Sequence, residues 1–345
     1  MNSGTKNESI VSAYITDIAY YLPEQIIECE QNRLSKKTGI LRRHVAAKGE
    51  TAADLAVKAA EKIFLQGVDR ATIDFVLLCT QSPDYILPTT ACLIQDRLGL
   101  PRSCGALDFN LGCSGYIYGL SLAKGLVETG QAKRVLLLTS ETYSKHLHPQ
   151  DGSVATLFGD AATATLVDEL ATDNDQYGMY GFSFGTDGSG GNDLIVPVGG
   201  SRNPYDTTAV EDIVDKYGNF RTNRNLYMNG SAISEFALEI VPSIVENVLE
   251  KSCLHRKDVS YFVFHQANKF ILDYLQQKCN LQDFLFWNNV AEYANTVSNS
   301  IPIALSDILS INSDISLHRF MLVGFGVGLS WAGCIVDLRH CKAFR

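Results

Sequence analysis

A thiol, an imidazole and a carboxamide stand at three points where an apolar segment gives way to a loop: Cys113 in DFNLGCSGYIYGL, His265 in YFVFHQAN and Asn295 in EYANTVSNSIP. Cys113 follows the strand-like DFNL and Gly112, at or just before the start of a helix. There the positive end of the helix dipole and the unpaired N–H groups favour a thiolate, which lowers the thiol pKa and makes a nucleophile. Gly112 and Gly115 leave room beside the sulfur for a thioester. The motif alone is explained as well by a buried cysteine at a helix cap. His265 ends a strongly apolar strand, where a lone histidine is more often a packing residue. The Gln-Ala-Asn after it, however, gathers hydrogen-bonding groups at a strand terminus, the place where open α/β folds hold ligands. Asn295 by itself reads as a turn residue.

The elements around these residues give them a common setting. IDFVLLCT (73–80), TTACLIQDRLGL, GALDFN, a helix from about Cys113 and KRVLLLTSE (133–141) alternate branched apolar runs with helical patterns, as in an α/β protein whose strands are buried on both faces. The pattern then echoes itself. IDFVLLCTQS resembles SYFVFHQAN (260–268), and DFNLGCSGYIYGLSLAKGL followed by RVLLLTSE has its counterpart in EYANTVSNSIPIALSDIL (292–309) followed by RFMLVGFG (319–326). In this overlay Cys113 and Asn295 occupy equivalent loops, each leading into a helix rich in small residues. The overlay predicts a duplicated βαβ architecture with the site between its halves. The expected division is an N-terminal half over 1–175, a β-rich connecting region over 176–228 and a C-terminal half over 229–345. The connecting region is dense in Gly, Asp, Asn and Tyr, which reads first as turn punctuation and second as a cover over a substrate tunnel.

The glycine-rich GFGVGLSWAG (324–333) has neither the Lys-Ser/Thr of a P-loop nor dinucleotide-type spacing. Its glycines instead let the backbone approach the sulfur, offering the Val327 amide as an oxyanion donor beside that of Cys113. Lys and Arg number 29 against 38 Asp and Glu, a net charge of -9, with no concentrated basic footprint for nucleic acid. Nine cysteines form no CxxC pair and no zinc spacing, so reduced thiols and no metal site are expected. No apolar run approaches eighteen residues and MNSGTKNESIVSAY does not resemble a signal peptide, which leads to the expectation of a soluble cytoplasmic protein without membrane contact.

Taken together, the chain resembles the ketoacyl-acyl-carrier-protein synthase III family of the thiolase superfamily. Five blocks match in order between about residues 38 and 336: TGILRRHVAAKGETAADLA, SPDYILPTTACLIQ, DFNLGCSGYIYGL, FGDAATATLV, and a closing set of FHQAN, ANTVSNSIPIAL and GFGVGLSW. The resemblance implies a thiolase-like duplicated five-layer αβαβα fold and a Cys, His, Asn triad at Cys113, His265 and Asn295. Elongating synthases with two histidines would need a histidine at Asn295, and thiolases a second cysteine near the C-terminal glycine loop. An acyltransferase is implied, in which an acyl group loaded on Cys113 is condensed with a malonyl-carrier protein as carbon dioxide leaves. The implied substrates are phosphopantetheine thioesters on acyl carrier protein or coenzyme A, with no cofactor; the implied partners are the carrier protein and a second copy in a homodimer. Asn268 matches the pantetheine contact, and Phe325 and Gly326 are read as further substrate-binding residues. Leu87 stands where many members carry a phenylalanine that crosses the dimer interface to the partner's acyl pocket.

Where family members use a tryptophan and two arginines for coenzyme A, this chain has Arg33, Lys37 and, near the FGD block, Gly152. These departures point to a primer delivered on a carrier protein, for which Lys269 and Lys278 are candidate docking residues. Two other readings are transfer of the acyl group from Cys113 to an oxygen or nitrogen acceptor without decarboxylation, and a non-catalytic partner subunit.

Overall fold

The computed structural model describes residues 10–30, 33–172, 177–311 and 318–345, with the side chains of Ile10, Arg33, Leu34 and Thr172 left out. The first part of the chain forms β1 (Ile10–Tyr21), β2 (Gln25–Glu28), α1 (Arg33–Thr38), β3 (Arg42–Val45), α2 (Ala52–Phe64), β4 (Phe75–Cys79), α3 (Thr90–Arg97), β5 (Gly105–Phe109), α4 (Gly115–Glu128), β6 (Arg134–Glu141) and β7 (Ala161–Thr172). Next come β8 (Met179–Thr186), β9 (Leu194–Ile195), β10 (Asp212–Val214), β11 (Phe220–Thr222) and β12 (Tyr227–Met228). The last part holds α5 (Gly230–Ser252), β13 (Tyr261–Phe264), α6 (Lys269–Lys278), α7 (Val290–Tyr293), α8 (Ser300–Ile311), β14 (Arg319–Gly326), β15 (Ser330–Asp337) and β16 (Lys342–Phe344).

Local chemistry starts several of these elements. Thr51 accepts from the Asp54 amide at 3.3 Å while the Asp54 carboxylate accepts from the Thr51 amide at 2.8 Å, a capping box that opens α2. Asp108 on β5 accepts from the Thr90 and Ala91 amides, both at 2.7 Å, and so caps α3 from a neighbouring strand.

Two sheets carry the fold, in the orders β16-β1-β7-β6-β4-β5 and β13-β14-β15-β8. Strands β4 and β6 are parallel, followed outward by antiparallel β7 and β1; β13 and β14 are parallel, followed by antiparallel β15 and β8. The partner of β4 on its other side is parallel β5, and in the second sheet Phe262 on β13 bridges Phe286 in the same sense. The sequence echo is therefore a repeat of strand order. On β6, Leu136 and Leu138 pack toward α2 and α3 while Val135 and Leu137 face α4; on β14, Phe320 and Leu322 face inward while Met321 and Val323 meet α5 and α6. Each fully buried leucine of this kind contributes about 2 kcal/mol. Helices α4 and α8 fill the space between the sheets, which gives the five layers expected of a thiolase-like α/β fold.

One segment goes further than the reading of the sequence. β8 falls within residues 176–228, expected as a β-rich connecting region, and is integrated in the second sheet as its edge strand. Its MYGFSFGT sequence is diluted by two glycines and only Met179 and Ser183 are buried, so the apolar alternation is faint. The rest of that region holds the two-stranded ladders β9–β12 and β10–β11.

Candidate active site

The parallel strands β5 and β6 of one sheet and β13 and β14 of the other deliver their C-terminal ends to one place. Cys113 lies two residues before α4, with Ser114 as the helix cap, and is buried. The turn is held by close approaches that only glycine permits. A Cβ on Gly115 would lie 2.3 Å from Cys79 Sγ, and one on Gly324 would lie 2.7 Å from the Cys113 carbonyl oxygen. A Cβ on Gly326 would stand 3.0 Å from both Cβ and Sγ of Cys113. Ser114 Oγ and Ser330 Oγ, 2.7 Å apart and buried, tie the turn to β15.

His265 follows β13 directly and is 2 % exposed. Its Nδ1 lies 2.8 Å from Ser300 Oγ, at the first residue of α8, and Ser300 Oγ also accepts from the Gln266 amide at 3.3 Å. With the Ser300 hydroxyl donating to Nδ1, Nε2 carries the proton and is the donor left for a ligand. The ring of Phe325 meets the His265 ring edge-on, with centroids 5.5 Å apart. Phe325 and Gly326 are consecutive, so the end of β14 touches His265 with one residue and Cys113 with the next. Phe325 thus packs against the imidazole.

Asn295 sits in a short parallel bridge with Phe158, its amide donating to the Leu157 carbonyl at 2.9 Å and its carbonyl accepting from Gly159 at 3.0 Å. Its side-chain Oδ1 accepts from the Val297 amide at 2.9 Å, which leaves Nδ2 as the outward donor. Val297 has φ +56° and Ala294 φ +59°, left-handed conformations that cost L-residues of order 1 kcal/mol or more each. Val297 is the hub of the site. It packs with Cys113, it donates to Asn295, and its backbone lies near enough to the His265 ring to favour the charged imidazole.

Burial governs the charges. It pushes the Cys113 thiol up to about 12, with the Glu141 carboxyl adding to the rise. The helix-end position was expected to lower this pKa. A helix terminus contributes up to about 2 kcal/mol, however, whereas full burial shifts a pKa by about 3–5 units at about 1.4 kcal/mol each. Desolvation wins and the resting thiol is protonated. Burial likewise pushes His265 down to about 3, against the opposing influence of the nearby Val297 backbone, so the imidazole is neutral. Among the described residues, the amides of Cys113 and Val327 donate to no backbone carbonyl.

Glu141, at the end of β6, has no counterpart in the reading of the sequence, where it is the last residue of an apolar strand. It is fully buried beside the Cys113 turn and burial pushes its carboxyl up to about 8. A charged residue closing a run of buried strand residues was the signal available.

Around the sulfur, Tyr143, Val154, Phe158, Leu194, Leu226 and Val297 form an apolar wall, so β9 and the approach to β12 reach the site from the connecting region. The β10–β11 ladder is tied to the segment before exposed Gly152: the Phe220 amide donates to the Gln150 carbonyl at 3.2 Å, and Arg221 pairs with buried Asp151 at 3.5 Å. Asn268 caps α6, accepting from the Ile271 amide at 3.0 Å. Leu87 is 83 % exposed beside exposed Tyr85 and Ile86. Lys37 stacks over Phe270 at 4.4 Å, Lys269 is paired with Asp273, and Lys278 is exposed. The side chain of Arg33 lies outside the described residues.

Residues 107–188 match the family described as 3-Oxoacyl-[acyl-carrier-protein (ACP)] synthase III, and residues 249–338 match its C-terminal counterpart. The chain is 34% identical to a beta-ketoacyl-[acyl-carrier-protein] synthase III of Lactococcus lactis subsp. lactis, over 94% of this chain and 99% of that one. Among solved structures, a 3-oxoacyl-(acyl-carrier-protein) synthase III at 47% identity superposes with a TM-score of 0.90, covering 94% of this chain and 99% of the other. A 3-oxoacyl-(acyl-carrier protein) synthase from Burkholderia xenovorans, 34% identical, gives a TM-score of 0.84 over 96% and 95% of the two chains.

Proposed function

The chain belongs to the 3-oxoacyl-[acyl-carrier-protein] synthase III family, and from that premise we propose that Cys113 is its acyl-carrying nucleophile, served by His265 and Asn295 as paired donors. It is an acyltransferase of the beta-ketoacyl-acyl-carrier-protein synthase III type. The observation that carries the residue assignment is the meeting of all three side chains at Val297, reinforced by the consecutive contacts of Phe325 with His265 and Gly326 with Cys113.

In the first half-reaction the Cys113 sulfur attacks the carbonyl carbon of an acyl thioester as the thiol gives up its proton. The tetrahedral oxyanion takes the N–H groups of Cys113 and Val327, the bond from carbonyl carbon to carrier sulfur breaks, and the carrier leaves as a thiol that has gained the proton Cys113 lost. In the second, a malonyl thioester places its carbonyl oxygen at His265 Nε2 and Asn295 Nδ2. The bond to its carboxylate breaks, carbon dioxide departs, and the electron pair forms an enolate held by those two donors. The enolate carbon then attacks the acyl carbonyl, and the Cys113 sulfur leaves as the carbon–carbon bond closes. A neutral histidine suits this role, because it donates a hydrogen bond without supplying a proton that would quench the carbanion.

The departures at Arg33, Lys37 and Gly152 from the family's coenzyme A contacts favour a primer carried by acyl carrier protein over one carried by coenzyme A. Asn268, with its amide nitrogen still able to donate, is assigned to the phosphopantetheine arm. Exposed Lys37 and Lys278 are assigned to carrier docking, with Lys269 in a lesser part because Asp273 already neutralises it. Homodimerisation is supported by the outer edge of β5 and the exposed Leu107, Ile86 and Leu87. No helix among the described residues is long and apolar enough to cross a membrane, and free cysteines suit the cytoplasm to which we assign it.

Intact-mass measurement after exposure to acyl groups on coenzyme A and on carrier protein tests the assignment. An adduct on the wild type that disappears in Cys113→Ala, followed by carbon dioxide release on adding malonyl-carrier protein, is expected. An adduct that persists in Cys113→Ala would overturn it.

A further inference from the structure

Glu141 is 0 % exposed and its carboxylate has no Lys or Arg partner among the described residues. Its oxygens accept from the Gln81 amide at 3.0 and 3.2 Å, from Ser82 Oγ at 3.0 Å and from Ser298 Oγ at 3.5 Å. These donors come from two segments that flank the nucleophile. Gln81 accepts from Tyr143 Oη at 3.2 Å through its side-chain oxygen, holds Asn110 at 3.1 Å, and stands 2.8 Å from where a Cβ on Gly112 would lie. Ser298 belongs to the turn between Asn295 and Ser300, the residue that holds the His265 ring. A single carboxyl therefore links the loop beside Cys113 to the turn that orients both proposed donors.

We propose that Glu141 is a positioning residue for Cys113: its carboxyl clamps the Gln81–Ser82 loop to the Val297–Asn299 turn, and its ionisation opposes the Cys113 thiolate. The clamp needs only the hydrogen bonds, whereas the opposition follows from placing a second negative charge in a desolvated site. Other groups near the carboxyl are Asp160, Cys113, Cys79 and Tyr143, with His146 reaching it through Ser82 at 3.5 Å. Burial holds the Cys79 thiol and the Tyr143 phenol well above their ordinary values and His146 below its own; it raises the Asp160 carboxyl as well, and pushes that of Glu141 up to about 8. The two ionisations at Glu141 and Cys113 are coupled.

This inference rests on Cys113 being the nucleophile, and the test separates the two. Iodoacetamide labelling of Cys113 in the full-length protein is followed by peptide mass from pH 6 to 10. In the wild type, the logarithm of the rate rises with pH and then flattens near pH 8, because ionised Glu141 holds back the thiolate. In Glu141→Gln, the flattening disappears and labelling at pH 9.5 is about tenfold faster than in the wild type, one pKa unit being a factor of ten. A wild-type profile that climbs without a bend overturns the proposal, and so does a bend retained in a folded Glu141→Gln. Should that variant not fold, the wild-type profile still decides. Loss of the acyl-enzyme mass on wild-type Cys113 sinks the proposed function, whereas a normal acyl-enzyme with an unbent profile sinks only the role of Glu141.

Discussion

Gly326 stands so close to Cys113 that a Cβ at this position would sit 3.0 Å from the sulfur. The last residue of β14 is therefore the floor beneath the nucleophile, and the space it leaves is the space an acyl thioester needs. Gly326→Ala is expected to slow acyl loading by at least tenfold. Overpacking of this kind costs about 1–3 kcal/mol of stability. Stopped-time intact-mass measurement of the acyl adduct, beside thermal unfolding of the same variant, checks both numbers; loading at the wild-type rate would contradict the crowding argument.

His265→Ala and Asn295→Ala should separate the two half-reactions. Each removes one enolate donor while leaving the Cys113 and Val327 amides in place, so acylation persists and decarboxylative condensation falls by about 10²–10³-fold. Carbon dioxide release from labelled malonyl-carrier protein reads the second step, and equal losses in both steps would count against the division of roles.

The depressed pKa of His265 has a definite sign in stability. Its folded value of about 3 lies below the ordinary histidine value of 6.5, so between these the unfolded chain binds the extra proton. The contribution of His265 is fully present above pH 6.5 and is lost as pH falls toward 3, at up to about 1.4 kcal/mol per pH unit. Denaturant unfolding of the wild type and a His265→Gln variant across pH 4–7 should show the steeper acid loss in the wild type.

Glu141 acts in the opposite sense. Its folded value of about 8 lies above the ordinary 4.5, so the folded protein holds the proton and stability falls as pH rises from 4.5 to 8. Glu141→Gln is expected to flatten that decline, and parallel stability curves for the two proteins would contradict the assignment.

Leu226 and Leu194 come from the connecting region yet pack in the cluster around Cys113. Leu226→Ala should shift acyl preference toward chains longer by about two or three carbons. The variant should also lose about 2–5 kcal/mol of stability, since the deleted side chain leaves a cavity. A panel of acyl donors of graded length, scored by adduct mass, measures the shift.

The nature of the chemical groups and the order of the elements were written in the sequence. Alternating apolar runs specified strands buried on both faces, the repeat of strand, loop and helix specified two halves with one strand order, and Cys113, His265 and Asn295 stood at matching junctions. These properties depend on neighbours a few residues apart, so periodicity and motif expose them. What the tertiary structure decided depends on which distant segments meet. A thiol at a helix end becomes a protonated thiol because the second sheet buries it. Glu141 becomes a clamp because Gln81, Ser82 and Ser298 converge on it from 59 to 157 residues away. β8 joins a sheet that its own alternation hardly announces, and Val297 takes a left-handed conformation that no glycine marks. Desolvation and packing are set by the sum of such meetings, and one-dimensional spacing does not contain that sum.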